Sequence, residues 1–320
     1  MAWIRKVARA SACEQWRTIV AILFVAALLA SCQRSTTTTA VRVDPALATL
    51  VPPDATLLVG AKLDKLRETA VYQKHFDQMP LPRLDDFAKQ TGLDPRKDVW
   101  EMLFASNGSW GVLMARGKFP TSELEPRLEQ QGATRTRYKG YSLFGDDRNA
   151  AFFMNSSTAI AGSTPALKTI IDNRDRSSGG IPPALQPLVN LIPRASQFWA
   201  VFNGTLASLP FPNDSNLGNV NQFIRSVQNG RFSASLTNGL DFQASGTCDT
   251  GPGAKQIHDL LKGLIGMGRL STPDNRPDLL KVYDSIDVQQ QGNVVNVSAS
   301  VPQDVVDKFL NTFVSGRKLQ

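Results

Sequence analysis

The sequence predicts an α+β protein built as two tandem similar units, each an antiparallel sheet with helices packed on one face. Three observations point there. Asn107-Gly108 and Asn238-Gly239 each divide two strand-like segments, and Asn-Gly in that setting is the strongest short hairpin signal. A segment with helical apolar spacing follows each of these hairpins. The same order of segments then returns at a spacing of about 140 residues, as a duplicated unit would.

The first unit is placed at residues 49–172. It opens Leu50-Val51-Pro52-Pro53-Asp54-Ala55, continues in a strand over 56–61, and turns helical from Leu63. Residues 101–106 and 110–116 form the first hairpin. A helix starts at 121, with Thr121 or Ser122 as its cap and Glu123 and Glu125 near its positive end. Short strands over 141–144, 150–154 and 158–161 and a helix over 165–172 close the unit.

Residues 173–190 read as a linker, because Ser177-Ser178-Gly179-Gly180 and Pro182-Pro183 are turn and breaker residues. The second unit, 191–320, opens Leu191-Ile192-Pro193-Arg194-Ala195 with a strand over 197–202. A hairpin over 231–236 and 240–247 follows, then a helix over 254–267 with Ile257, Leu260, Leu261, Leu264 and Ile265 on one side. Strands over 286–290 and 294–301 and a helix over 303–313 complete it.

The amino terminus has a different character. Arg5, Lys6, Arg9 and Arg17 face one acid, Glu14, and residues 19–30 are an unbroken apolar run of twelve ending in Leu29-Ala30-Ser31-Cys32. A basic start, a short apolar run and small residues at its end form the layout of a secretory signal. Twelve residues fall short of the roughly 20 needed to span a bilayer. Those last four residues resemble the bacterial lipobox, so residues 1–31 are expected to be a lipoprotein signal peptide cut between Ser31 and Cys32. The resemblance implies a diacylglyceryl group on the Cys32 thiol and an acylated new amine. Several chains hold far more firmly than one, at about 0.8 kcal/mol per buried methylene. Gln33 in the next position resembles the pattern that sorts lipoproteins to the outer membrane, facing the periplasm, with the outer face of the cytoplasmic membrane as the alternative. Residues 32–48, with their threonine run at 36–39, read as a flexible tether.

Composition narrows the function classes. The chain carries 35 basic and 28 acidic residues. Without residues 1–31 the balance is +4, too mild and too scattered for nucleic acid. Of three cysteines, Cys13 leaves with the signal, Cys32 is the lipid acceptor, and Cys248 is expected to be a buried small hydrophobe.

Several segments resemble an uncharacterised family of bacterial envelope lipoproteins. They are Val51-Pro52-Pro53-Asp54-Ala55, Thr91-Gly92-Leu93-Asp94-Pro95-Arg96-Lys97-Asp98, and the strand–helix over 294–313. That family has no assigned activity, so the resemblance implies an envelope location and no chemistry.

A search for chemistry finds no catalytic residues, and no cofactor or metal ligands are expected. His75 and His258 stand outside any zinc spacing; His75 is read as a surface or capping residue. Cys248 and His258 could pair as thiol and base, but their separation says nothing of geometry. Asp249-Thr250-Gly251 matches the aspartic-protease triplet, yet the first unit offers Arg116-Gly117-Lys118 there, so a turn is the better reading. Asp85-Asp86, Asp94, Asp98 and Asp146-Asp147 lack the calcium-loop pattern and read as helix starts and turns. The aromatics Trp100, Trp110, Phe152, Phe153, Phe198 and Trp199 are placed in strand cores.

The reading that results is a membrane-tethered, non-catalytic binding or scaffold module with an envelope protein as its partner. Two alternatives stay open: carriage of a lipid or other apolar ligand, and a hydrolase whose carboxylates leave no linear pattern.

Overall fold

The computed structural model describes residues 40–77, 79–174, 179–204 and 226–317, with side chains to residue 311. Ser31, Cys32 and the whole of the expected signal lie outside the described residues.

The body is α+β, as expected. In chain order its elements are α1 (Pro45–Ala48), β1 (Leu57–Lys62), α2 (Leu63–Arg67), α3 (Ala70–His75), α4 (Pro82–Thr91) and α5 (Pro95–Asp98). Next come β2 (Val99–Ser106), β3 (Gly111–Gly117), α6 (Thr121–Gln130), β4 (Arg135–Tyr138), β5 (Tyr141–Gly145), β6 (Asn149–Asn155), β7 (Thr158–Ser163) and α7 (Thr164–Asn173). The later elements are α8 (Gln186–Val189), β8 (Phe198–Asn203), β9 (Val227–Ser235), β10 (Leu240–Cys248), α9 (Gly251–Leu270), α10 (Pro277–Ser285), β11 (Ile286–Gln291), β12 (Val294–Val301) and α11 (Gln303–Arg317).

Among the described residues the twelve strands form one sheet, in the order β11-β12-β10-β9-β8-β1-β2-β3-β7-β6-β5-β4. Each half repeats one pattern: a first strand, a hairpin beside it, a helix, and a second hairpin whose later strand returns to the first. Thus β7 lies beside β3, and β12 lies beside β10. The first half adds β4 and β5 at its edge. The halves meet where β1 and β8 pair antiparallel, from Leu57↔Phe202 to Ala61↔Phe198.

Alternate residues of a strand point to opposite faces, so one sheet can serve two cores. On β8, Trp199 and Val201 enter the larger core with Leu58, Leu103, Met114, Phe152 and Ile160. Leu167, Ile170 and Ile171 of α7 and Val189 of α8 cover that core. Phe202, which follows Val201, faces the other way, into a smaller core with Val227, Cys248, Val288 and Val295 under α9. Helices therefore sit on one face in the second half but on both faces in the first. There Leu63 of α2 and Leu124 of α6 pack on the α9 side and α7 packs on the opposite side, so the expected single helical face does not hold. Two further clusters lie around Phe119 and Leu124, and around Val71, Val301, Val305 and Val306.

Two boundaries move and one helix cap differs. The tether expected to run to residue 48 ends earlier, since Val41 and Leu47 are buried in the larger core. A bridge joins Ala40 to Pro193, and the Val41 amide donates to the Ile192 carbonyl at 2.8 Å. The expected linker 173–190 is core structure in its second part, where Leu185 and Val189 are buried. At α6 the cap expectation fails: Pro120 holds the cap position and no side chain bonds there. The Pro120 carbonyl instead starts the helix by accepting the Glu123 and Leu124 amides at 2.9 Å.

His75 is also misplaced by the sequence reading. Its side chain is 3% exposed, and Nε2 lies 2.8 Å from Asp307 Oδ1. Lys74 Nζ and Gln303 Nε2 donate to the same carboxylate at 2.6 and 2.9 Å. Asp307 thus ties α3 of the first half to α11 of the second.

Candidate functional site

The seam between the halves ends in a cleft. β1 finishes at Lys62, whose amide donates to the Gln197 carbonyl at 2.8 Å, and α2 then turns away. On the other side, the Ala40–Pro193 bridge sets two short segments side by side, carrying Arg42 and Arg194. The resulting hollow has a volume of about 460 Å³. Arg42, Lys62, Lys65 and Arg194 line it against a single acid, Glu68. That size falls within the range of small-ligand sites.

The walls are fixed by hydrogen bonds. Gln197 is buried; its Oε1 accepts the Leu236 amide at 2.6 Å and its Nε2 donates to Thr237 Oγ1 at 3.1 Å. Thr69 Oγ1 donates to the Leu66 carbonyl at 2.7 Å and caps α3 by accepting the Tyr72 amide at 3.2 Å. Ser196, 4% exposed, adds a hydroxyl to the same wall.

Charge pairing around the cleft is uneven. Lys65 Nζ meets Glu68 at 2.9 Å, an exposed pair of small energetic weight. Asp44 pairs with Arg116 at 3.1 Å, and Arg116 also donates to Ser157 and Thr158. Glu101 lies directly across from Lys62 in the sheet. Burial raises its carboxyl above the ordinary value, opposed by the Asp44 amide at 3.1 Å and by the Lys62 charge. Arg42 and Arg194 are exposed and make no ion pair among the described residues.

Other sequence candidates are not brought into a reacting group. Cys248 is buried, and burial pushes its thiol up, away from the nucleophilic form. His258 Nδ1 partners Asp259 at 2.9 Å. Thr250 of the Asp-Thr-Gly triplet caps α9, accepting the Gly253 amide at 3.1 Å. Asp94 caps α5, and Asp146 closes a turn by accepting the Arg148 and Asn149 amides at 2.8 Å. Those two backbone bonds hold Asp146 below the usual carboxylate range. Trp199 and Phe152 are core residues, whereas Trp100 is partly exposed beneath the Arg116 guanidinium, 5.9 Å from its ring. Among the described residues no group of three metal-ligating side chains converges.

A second hollow lies between α9 and the sheet. It is about 240 Å³ and almost wholly apolar, with Phe202, Val227, Cys248, Ile257, Leu261 and Val297 in its walls. Among the described residues, no helix is long and apolar enough to cross a membrane.

No family model matches the chain, and no curated protein matches it. The solved structures similar to it include two crystal forms of TP0453. Form III has 9% identity and a TM-score of 0.47 over 84% of this chain and 99% of that one. Form I has 9% identity and a TM-score of 0.44 over 86% and 98%. Similarity at that level says nothing about the chemistry of the cleft.

Proposed function

We propose that the chain is a lipid-anchored envelope protein, a non-catalytic binding or scaffold module held at a membrane through Cys32. The observation that carries this reading is Leu29-Ala30-Ser31-Cys32 placed directly behind the twelve-residue apolar run. The basic cleft fits the same reading by its place in the sequence, since Arg42 follows Cys32 by ten residues. An outer membrane location, facing the periplasm, and an envelope protein partner belong to the same proposal.

Carriage of an apolar ligand is the second reading, favoured by the hollow beneath α9. At about 240 Å³ it is smaller than the roughly 300–1,000 Å³ of ordinary ligand sites, so carriage ranks behind tethered binding.

Cys32→Ala tests the anchor. The variant is expected to stay as an unprocessed precursor or to lose membrane attachment, read by fractionation and by gel mobility against wild type. Unchanged processing together with unchanged attachment would remove Cys32 from its role.

A further inference from the structure

We propose that the seam cleft binds the phosphate ester of an anionic phospholipid headgroup. The proposal deepens the tethered-module reading and rests on it for the source of the ligand, though not for the binding chemistry.

Four cations, one acid and a concave floor define the site. Lys65 and Glu68 satisfy each other at the rim, and Lys62 lies opposite Glu101 in the strand pair, where its charge acts on that carboxylate. Arg42 and Arg194 are left facing the hollow without a partner among the described residues. A planar guanidinium presents a fork of donors that suits two phosphate oxygens at once, and such charge-assisted bonds are the strong ones. The Ser196 hydroxyl in the same wall can donate to a remaining ester or glycerol oxygen, whereas those of Thr69 and Thr237 are already engaged within the protein. With four cations against one acid, the concavity is predominantly positive and focuses the field, so the pair counts for more than on an open surface.

Anion binding also explains why two arginines are held next to each other. The bridge between Ala40 and Pro193 and the bond from Val41 to Ile192 fix both backbones at neighbouring positions. Their mutual repulsion is relieved by a bound anion. A phosphodiester with a neutral glycerol head suits this place better than a zwitterionic head, whose choline cation would meet Arg42 and Arg194. Placement favours the same source, because Arg42 lies within ten residues of the expected anchor at Cys32. Basic pockets near a bilayer surface bind headgroups in this way.

The test is isothermal titration of the protein as purified from its host, whatever its amino-terminal modification, in non-ionic detergent. The probes are glycerophosphoglycerol, glycerophosphocholine and inorganic phosphate. Glycerophosphoglycerol is expected to bind at least about tenfold more tightly than glycerophosphocholine, and to weaken as ionic strength rises. The double variant Arg42→Gln/Arg194→Gln should lose at least about tenfold of that affinity, since two charge-assisted bonds go. Both side chains are exposed, so an unchanged melting temperature is expected to accompany the loss. Binding of inorganic phosphate alone would assign the cleft to a free anion and overturn the headgroup. Equal binding of both headgroups, no binding, or an unaffected double variant would also overturn it. None of these readouts depends on where the protein is anchored, so a failure here is distinguishable from a failure of the Cys32 reading.

Discussion

Replacing Gly60 by valine is expected to destabilise the body by about 3 kcal/mol, near the upper end of the usual cost of overpacking. Gly60 lies opposite Trp199 in the β1–β8 register. The indole of Trp199, 2% exposed, occupies the space a Cβ on Gly60 would need. A larger residue must displace the ring from the larger core, at the strand pair that joins the halves. Trp199→Ala alone should cost about 3–5 kcal/mol by the cavity it leaves. Because the two residues share one volume, the double variant should cost clearly less than the sum of the single changes. Urea denaturation of the four proteins reads this out. Strict additivity would mean that the indole does not fill the Gly60 space.

The second large effect is expected at Asp307. Removing its carboxylate leaves buried His75 without its partner and unties α3 from α11. Asp307→Ala should cost roughly 2 kcal/mol, mostly from the stranded His75, since Lys74 is exposed and weakly held. The effect has a pH sign. Burial alone would raise the Asp307 carboxyl, but bonds from Lys74, His75 and Gln303 outweigh it and hold the group below its ordinary value of 3.8. A carboxylate depressed in the folded state contributes stability above its unfolded pKa, and that stability is lost as pH falls through the lower folded one. The gap between wild type and Asp307→Asn should therefore be full at neutral pH and shrink below about pH 3.8. A gap that grew on acidification would contradict the assignment.

What the sequence made legible was mostly local. Asn107-Gly108 and Asn238-Gly239 placed both hairpins, although each turn is longer than two residues, because β3 begins only at Gly111 and β9 already ends at Ser235. Gly239 is at φ 101°, and a Cβ there would strike the Val301 carbonyl, so the glycine is required as well as favoured. The common order of elements in the two halves was visible for the same reason. β4 was missed because Arg135-Thr136-Arg137-Tyr138 is short and charged, as edge strands are.

Long-range pairing was not legible. The β1–β8 seam joins segments about 140 residues apart, and nothing in either strand names its partner. His75 read as a surface residue because Asp307, which makes its burial tolerable, lies 232 positions away. Leu185 and Val189 were lost in a stretch whose glycines and prolines announce a loop. The cleft was invisible for the same reason: Arg42 and Arg194 become neighbours only through the Ala40–Pro193 bridge.

The central claim is the anchor at Cys32, and the mass of the mature amino terminus tests it most directly. Protein extracted from membranes of its native host should yield an amino-terminal peptide that begins at Cys32 and carries a diacylglyceryl group with an acylated amine. A mature peptide that begins elsewhere, or an unmodified Cys32 in membrane-bound protein, would contradict it.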